Sequence, residues 1–484
     1  MTGERRRPVS AVVLAAGEGT RMRSATPKVL HELCGRPMLV WVLDALGSLP
    51  LDRIVVVVGH GAEDVTKTVQ DRLASPNLAI DVPVEFVEQP VQRGTGDAAA
   101  VALTAFADDL DADDDLLVLF ADSPLIRPDT LAMLATEHRL SDAAATILTA
   151  RIDDPSGYGR VIRDERGRVD RIVEDGDARP DELEVDEINP SFYCFRRAYL
   201  APALRRLRPD NVQGQYYLTD VIGVLRQAGH LVDGIEVDDP TEVLSVNDRA
   251  QLADVESELR DRINTHWMRE GVTMVDPATT YVDADVVLEP DVRILPNTML
   301  GGSTVVRSGA VVGPDCDLVD TVVGRDAVVR QSVARDSIVG DGVTVGPYVS
   351  LRAGTHLAAG AHAGTFVEIK NSEIGEGAKV PHLSYVGDAD VGERTNIGAG
   401  NITANYDGRA KHRTRIGNDV RSGSNTVFVA PVEVGDGAYT AAGSVVNRDV
   451  PSGALAKGVP AKIEEGWADR RENADDDSAS EGKD

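Results

Sequence analysis

Two short stretches of this sequence carry residue types suited to phosphate chemistry. In the first, Leu14-Ala15-Ala16-Gly17-Glu18-Gly19-Thr20-Arg21 follows an apolar run, with Pro27-Lys28 close behind. A glycine-rich turn between a strand and a helix can aim backbone N–H groups at an anion. Arg21 and Lys28 add two cations just past that turn, a combination that suits a triphosphate. It also places positive charge where an in-line phosphoryl or nucleotidyl transfer develops negative charge. The stretch is not a Walker loop, nor a full dinucleotide fingerprint, because Met22 stands where the third glycine would be. The second stretch, Phe120-Ala121-Asp122-Ser123-Pro124, closes another apolar run. A carboxylate just past a parallel strand lies at the edge where α/β sheets bind ligands. Asp122 is therefore a candidate ligand for Mg²⁺, a hard cation that shares oxygen ligands with phosphates. A helix N-cap or turn aspartate is the alternative reading of the same residue.

The elements that must position these residues show in the apolar pattern. Val9–Ala15, Arg53–Val58 and Leu116–Phe120 are short apolar runs, separated by amphipathic segments such as Met38–Leu49 and Thr130–Arg139. Such alternation predicts a parallel or mostly parallel α/β sheet. Asp108–Asp115 reads as an acidic turn. From Asp248 to Glu270 no Pro or Gly intervenes, and Leu252, Val255, Leu259, Ile263 and Trp267 recur at steps of three and four. That spacing predicts one long connecting helix.

Beyond Gly271 the period becomes six. Apolar or small residues stand at Val339, Val345, Leu351 and Leu357, at Ile374, Val380 and Val386, and at Val391 and Ile397. A last series runs through Ile416, Ser422, Phe428, Val434, Thr440 and Val446. Glycine often follows at once, as at Gly340, Gly375 and Gly417. A six-residue repeat with one inward aliphatic per strand predicts a parallel β-helix. The repeat is expected to break at Phe366–Asn371 and again at Thr403–Gly408, and breaks in a solenoid map to loops, often on the binding side. From Glu472 the tail is polar and acidic, and disorder is expected there.

Composition narrows the class. The 484 residues suggest two to four domains. No apolar stretch reaches membrane-spanning length, the first ten residues lack the apolar segment of a secretory signal, and three scattered cysteines suggest no disulfide framework. A soluble cytosolic protein is expected. A net charge of −29 argues against non-specific nucleic-acid binding, while leaving room for a basic pocket that takes an anionic small molecule. Lysine appears only 8 times against 42 arginines.

The first run, Leu-x-x-Gly-x-Gly-Thr-Arg-Met with Pro-Lys downstream, resembles the sugar-nucleotide pyrophosphorylases. Gln89–Gly96, Gly157–Arg160, Ile172–Glu174, Glu187–Asn189 and Val246–Asn247 follow in the order expected of that group. With the β-helix behind them, residues 8 to 467 resemble the bacterial GlmU family, of actinobacterial type. Its members are bifunctional glucosamine-1-phosphate acetyltransferases and N-acetylglucosamine-1-phosphate uridyltransferases. The resemblance implies a Rossmann-like nucleotidyltransferase domain at 1–247, a linker helix at 248–270, a left-handed β-helix acetyltransferase domain at 271–467 and a disordered acidic tail at 468–484.

In the first domain the resemblance implies that Arg21 and Lys28 grip the phosphates and that Asp122 and Asn247 ligate Mg²⁺. Leu14, Ala15, Ala16, Gly17, Phe120 and Ala121 would line the nucleotide, with Gln89, Gly94 and Thr95 reading the uracil. Gly159, Glu174 and Asn189 would hold the sugar. Three positions depart from the family pattern: Ala121 where Gly is usual, Pro190-Ser191 after Asn189, and Gln215 where Glu is common. Ala121 is expected to crowd the backbone near the nucleotide, and Pro190 to remove a donor near the sugar.

In the second domain, His382 is the candidate base, since acetyl transfer to an amine needs a base of near-neutral pKa. Glu368 would orient it or the amine. Arg352, Lys370, Tyr385 and Asn396 would bind glucosamine-1-phosphate, with Lys411 a further cation and Asn405 and Tyr406 completing the sugar and coenzyme contacts. Ala399, through its N–H, Ser424 and Ala442 would line the acetyl-CoA channel, and Lys457 would meet the coenzyme phosphate. The resemblance further implies a cytoplasmic homotrimer, with acetylation preceding uridylylation, that makes UDP-N-acetylglucosamine for cell-wall peptidoglycan and binds neither nucleic acid nor membrane. A related nucleotidyltransferase using dTTP, with a degenerate β-helix, is opposed by His382, Lys370 and Asn405–Gly408. A non-catalytic scaffold is expected to lack Arg21, Lys28 or Asp122, and all three are present.

Overall fold

The structure, a computed structural model, describes residues 7–74, 80–106 and 113–467. The tail at 468–484 and most of the acidic turn at Asp108–Asp115 lie outside the described residues. The chain divides into two compact units, Met1–Leu259 and Arg260–Asp484.

In the first unit, β1 (Val9–Ala15) is buried along its whole length. A small hairpin, β2 (Glu32–Leu33) and β3 (Arg36–Pro37), leads to α1 (Met38–Gly47). Then come β4 (Ile54–Val58), α2 (Ala62–Leu73), β5 (Val84–Glu88), α3 (Thr95–Ala102), β6 (Asp115–Phe120) and α4 (Pro128–Ser141). The chain continues through β7 (Ala145–Arg151), β8 (Gly159–Arg163), β9 (Val169–Val173), α5 (Pro180–Leu183), β10 (Glu187–Asn189) and β11 (Tyr193–Arg196). It closes with α6 (Arg197–Leu204), α7 (Asp220–Gln227), β12 (Val232–Glu236) and α8 (Arg249–Arg269). The sheet order is β5-β4-β1-β6-β11-β7-β10-β8-β9, with β12 beside β7.

Side chains alternate across a strand, and β1 uses both faces. Val9, Ala11 and Val13 join one core with α1, α2 and α4, while Val12 and Leu14 join another with α3, α6 and α7. Strands β5, β4, β1 and β6 are parallel, as expected. Beyond them the sheet is mixed, because β11 runs antiparallel to both β6 and β7. The outlying β8–β9 hairpin carries charged residues at four of its ten strand positions, so it has no continuous apolar run to betray it.

The boundary between units falls inside α8. On the second unit's side, Ile263 and Trp267 pack against the solenoid core, and the Asn264 amide donates to the carbonyls of Pro277 and Thr280, both at 3.0 Å. From Thr273 the chain coils through three ladders of parallel strands, a parallel β-helix. Leu351 pairs with Ile369 and Ile369 with Val386 on one face. Val339, Leu357, Ile374 and Val391 stack likewise on the next. The six-residue positions from Val339 to Val446 are all buried. Phe366–Asn371 is not a break: Ile369 keeps the ladder's register, and Phe366 marks a corner at φ 57°. The second expected break is real. Val391 pairs with Ile416, a step of 25 residues, against 17 from Ile374 to Val391. The extra length forms a loop closed by a Tyr406–Lys411 bridge. Asp407 fastens it, accepting from the N–H groups of Ala410 (2.7 Å) and Arg409 (2.8 Å) and from His412 (2.7 Å).

Because Ile369 is fully buried between Leu351 and Val386, Ile369→Ala removes packing on two coils. The expected loss is about 2–5 kcal/mol in chemical denaturation of the solenoid. An unchanged midpoint would mean that this segment leaves the ladder after all.

Candidate functional site

In the first unit the site forms at the carboxyl ends of β1 and β6, which lie side by side with Leu14 paired to Phe120. This is the edge where open α/β sheets take ligands. Gly19 allows the loop to close on Lys28: at φ 62°, any Cβ there would lie 2.6 Å from the Lys28 Cβ. The Lys28 ammonium then reaches Asp122 Oδ2 at 2.6 Å and Asn247 Oδ1 at 3.0 Å. Arg21 donates to the same Asn247 oxygen at 2.9 Å. Asn247 is brought there by its neighbour, since the Val246 N–H donates to the Asp122 carbonyl at 2.8 Å. No helix starts at Asp122, as α4 begins only at Pro128, so the N-cap reading falls away.

A cavity of about 480 Å³ opens over this cluster, lined by Leu14, Ala15, Ala16, Gly17, Arg21, Lys28, Gln89, Gly94, Thr95, Phe120, Ala121, Asp122 and Asn247 among others. A second, of about 240 Å³, shares Arg21, Thr95, Phe120, Asp122 and Asn247 with it and adds Gly159, Glu174 and Asn189. Every candidate residue of the first domain thus borders one of two adjoining cavities. Gln89 is buried and donates through Nε2 to Asp97 at 2.8 Å and to the Gly94 carbonyl at 3.3 Å. Gly94 has φ 113°, and a Cβ there would meet the Tyr216 carbonyl oxygen at 2.5 Å. Asn189 gives its amide N–H to Tyr193 at 2.8 Å, while its Oδ1 is buried and unpaired. Burial raises the Glu174 pKa above the usual carboxylate range against the opposing hydrogen bond from Thr219, and Asp220, Asp177 and Asp175 add to the rise.

The departures from the family pattern resolve differently. Ala121 is 1% exposed and packs in the core while bordering the nucleotide cavity. Pro190 lines the smaller cavity and contributes no N–H. Ser191 beside it has φ 68°, a conformation that favours glycine. Sequence reasoning missed Ser123, whose hydroxyl is buried and unpaired, and Tyr217 and Thr219, which border the same cavity. Ordinary hydroxyl residues at no distinctive spacing gave no signal.

In the solenoid the second set of candidates gathers at neighbouring coils. Arg352 is the ladder partner of Lys370, and Glu368 of Tyr385. Glu368 accepts from Arg352 at 2.9 Å, and among the described residues no hydrogen bond joins it to His382. Asn405 donates to Asp388, and to the Tyr385 hydroxyl at 3.4 Å. Lys411 lies close enough to lower the Lys370 pKa, first through the contact between the two amines, with a smaller push from Arg352. Three cations crowd one patch.

His382 ends a strand at a corner of the coil, exposed. Its carbonyl accepts from Gly400 N–H at 3.2 Å, the Ala399 carbonyl from Asn425 at 2.7 Å, and the Ser424 carbonyl from Gly443 at 2.8 Å. His382, Ala399, Ser424 and Ala442 therefore succeed one another along a single corner. Asn396 lies on the adjoining face between Lys379 and Arg421, and Tyr406 stands exposed on the inserted loop. Lys457 is paired with Glu464 at 2.7 Å, which offsets the charge expected to meet a coenzyme phosphate.

Comparison with known proteins fits both halves. The MobA-like NTP transferase domain family matches residues 11–225. The bifunctional protein GlmU of Streptomyces coelicolor is 49% identical over 468 residues, covering 96% of this chain and 95% of the relative. That of Thermobifida fusca is 49% identical over 467 residues, with 96% and 95% covered. That of Mycobacterium tuberculosis is 48% identical over 463, with 96% and 92% covered. With such identity sustained across nearly its whole length, the chain belongs to the GlmU family of bifunctional acetyltransferase–uridyltransferases.

Proposed function

We propose that residues 271–467 acetylate glucosamine-1-phosphate with acetyl-CoA and that residues 1–247 then transfer uridylyl from UTP to the product, giving UDP-N-acetylglucosamine and pyrophosphate. The observation that carries this reading is the convergence of Arg21, Lys28, Asp122 and Asn247 on one point beneath two adjoining cavities.

In the solenoid, Arg352, Lys370 and Lys411 take the sugar phosphate, which relieves their mutual repulsion. The sugar amine attacks the thioester carbonyl carbon, the C–S bond breaks, and coenzyme A leaves with the sulfur electron pair. His382 removes the amine proton; its ring makes no hydrogen bond among the described residues and is open to substrate. Tyr385, Asn396, Asn405 and Tyr406 orient the sugar, with Glu368 acting through Arg352. The Ala399 N–H faces the developing oxyanion, where one aimed donor typically contributes about 3 kcal/mol. Ser424 and Ala442 continue the corner along which the coenzyme lies. Tyr348, Phe366 and Leu383 stand exposed on successive coils at the corner beside His382, with Tyr348 and Phe366 stacked at 5.3 Å. This apolar stripe supports a homotrimer in which a neighbouring subunit covers it.

In the first unit, Gln89 and the backbone about Gly94 and Thr95 read the uracil, and Glu174, Asn189 and Gly159 hold the N-acetyl sugar. The sugar phosphate oxygen attacks the α-phosphorus, and the α–β P–O bond breaks. No protein nucleophile takes part, so the work is positioning and electrostatics. The Asp122 and Asn247 oxygens already converge on one cation, the Lys28 ammonium. Among the described residues no trio of His, Cys, Asp or Glu gathers elsewhere as a metal site. This sparse oxygen pair fits Mg²⁺, which takes few protein ligands and completes its shell with phosphates and water. When bound, Mg²⁺ neutralises charge at the α-phosphate. Reliance on acetyl-CoA and UTP supports a cytoplasmic location.

Two substitutions separate the chemistries. His382→Ala is expected to lower acetyl-transfer kcat by about 10²–10⁴-fold, with uridyl transfer to supplied N-acetylglucosamine-1-phosphate intact. Asp122→Ala is expected to do the reverse, lowering uridyl transfer by about 10²-fold or more. Loss of both reactions from either change in folded protein would refute separate sites.

A further inference from the structure

Gln89 follows β5 directly, and its backbone N–H donates to the Val58 carbonyl at 2.8 Å. The residue is only 4% exposed, yet it lines the larger cavity of the first unit. Its side-chain Nε2 donates to the Gly94 carbonyl at 3.3 Å and to Asp97 Oδ2 at 2.8 Å. A carbonyl and a carboxylate can only accept, so turning the amide over would set its oxygen against both. That fixes which end of the amide faces them. Gln89 Oε1 accepts no hydrogen bond among the described residues. Asp97 stands on the first turn of α3 and does not itself line the cavity. The turn before it is tied down twice: Gly96 N–H donates to the Tyr216 carbonyl at 2.8 Å, and Thr95 Oγ1 accepts from Leu218 N–H at 2.9 Å.

A free acceptor on a cavity wall sets what a base edge must offer there. Uracil presents N3–H, a donor. Cytosine presents a bare N3 lone pair at the same position, which an amide oxygen repels. We infer that Asp97 is a positioning residue for base selection, holding the Gln89 amide so that its oxygen takes uracil N3–H and turns cytosine away. The inference rests on the uridyltransferase reading. An amide free to rotate would serve both bases, since its NH₂ end can donate to cytosine N3. Of the two contacts that forbid rotation, the one to Asp97 is shorter and charge-assisted, so it carries most of the discrimination. Selectivity of this kind comes from an unfavourable meeting with the wrong base as much as from contact with the right one. Thymine offers the same N3–H, so Asp97 separates uracil from cytosine and not from thymine.

Uridyl transfer by the full-length protein tests this, with N-acetylglucosamine-1-phosphate, Mg²⁺ and either UTP or CTP, read as the ratio of the two kcat/KM values. Asp97→Ala is expected to lower the UTP-to-CTP ratio about tenfold, the worth of one charged hydrogen bond. Asp97→Leu, whose bulk keeps water from replacing the carboxylate, is expected to lower it at least as far. Asp97→Asn still offers Gln89 an acceptor, and its ratio is expected to stay within about threefold of the parent. An unchanged ratio in Asp97→Ala and Asp97→Leu, with kcat/KM falling equally for both nucleotides or not at all, overturns the inference and leaves Asp97 a structural residue. A loss in Asp97→Asn as large as in Asp97→Ala overturns it too. A parent enzyme that turns over neither nucleotide overturns the uridyltransferase reading, and the inference falls with it.

Discussion

The Lys28 ammonium is shared between the Asp122 carboxylate and the Asn247 amide oxygen, and the first unit is organised around that shared charge. The three residues come from segments separated by 94 and 219 positions. Each arrives by a different device: a glycine loop after β1, the end of β6, and a connecting segment fixed by the Val246–Asp122 hydrogen bond. The Lys28 side chain is 12% exposed and that of Asp122 20%, so neither charge is fully solvated, and removing one would strand the other. The parallel pairing of β1 with β6 makes the meeting possible, because only neighbouring strands running the same way end together.

The solenoid obeys a different constraint. Each coil must stack one small or aliphatic side chain on the next, so the inward positions belong to the core and cannot carry chemistry. Functional groups are confined to outward positions and corners. Arg352 above Lys370 and Glu368 above Tyr385 are outward ladder pairs, and His382, Ala399, Ser424 and Ala442 are a corner series. The inserted loop leaves the coil and brings further groups, Asn405, Tyr406 and Lys411, toward the same patch.

This division explains what could be read from the sequence. Strands made of unbroken apolar runs were legible, since β1 and the six-residue series each announce a buried face. The antiparallel half of the first sheet was not, because β8 and β9 mix buried and charged residues. Phe366–Asn371 looked like a break because Glu368 and Lys370 are conspicuous, while Ile369 between them holds the register. Motif order located the candidate residues that surround the first pair of cavities. The tie between Lys457 and Glu464 was invisible, since nothing in the spacing marks a hairpin that folds one back on the other.

The proposed function has one chain perform both transfers in sequence. The direct measurement is a single incubation of the purified protein with glucosamine-1-phosphate, acetyl-CoA, UTP and Mg²⁺, with products identified by mass spectrometry. The expected products are UDP-N-acetylglucosamine, free coenzyme A and pyrophosphate. N-acetylglucosamine-1-phosphate accumulating without the nucleotide sugar, or no release of coenzyme A, would contradict it.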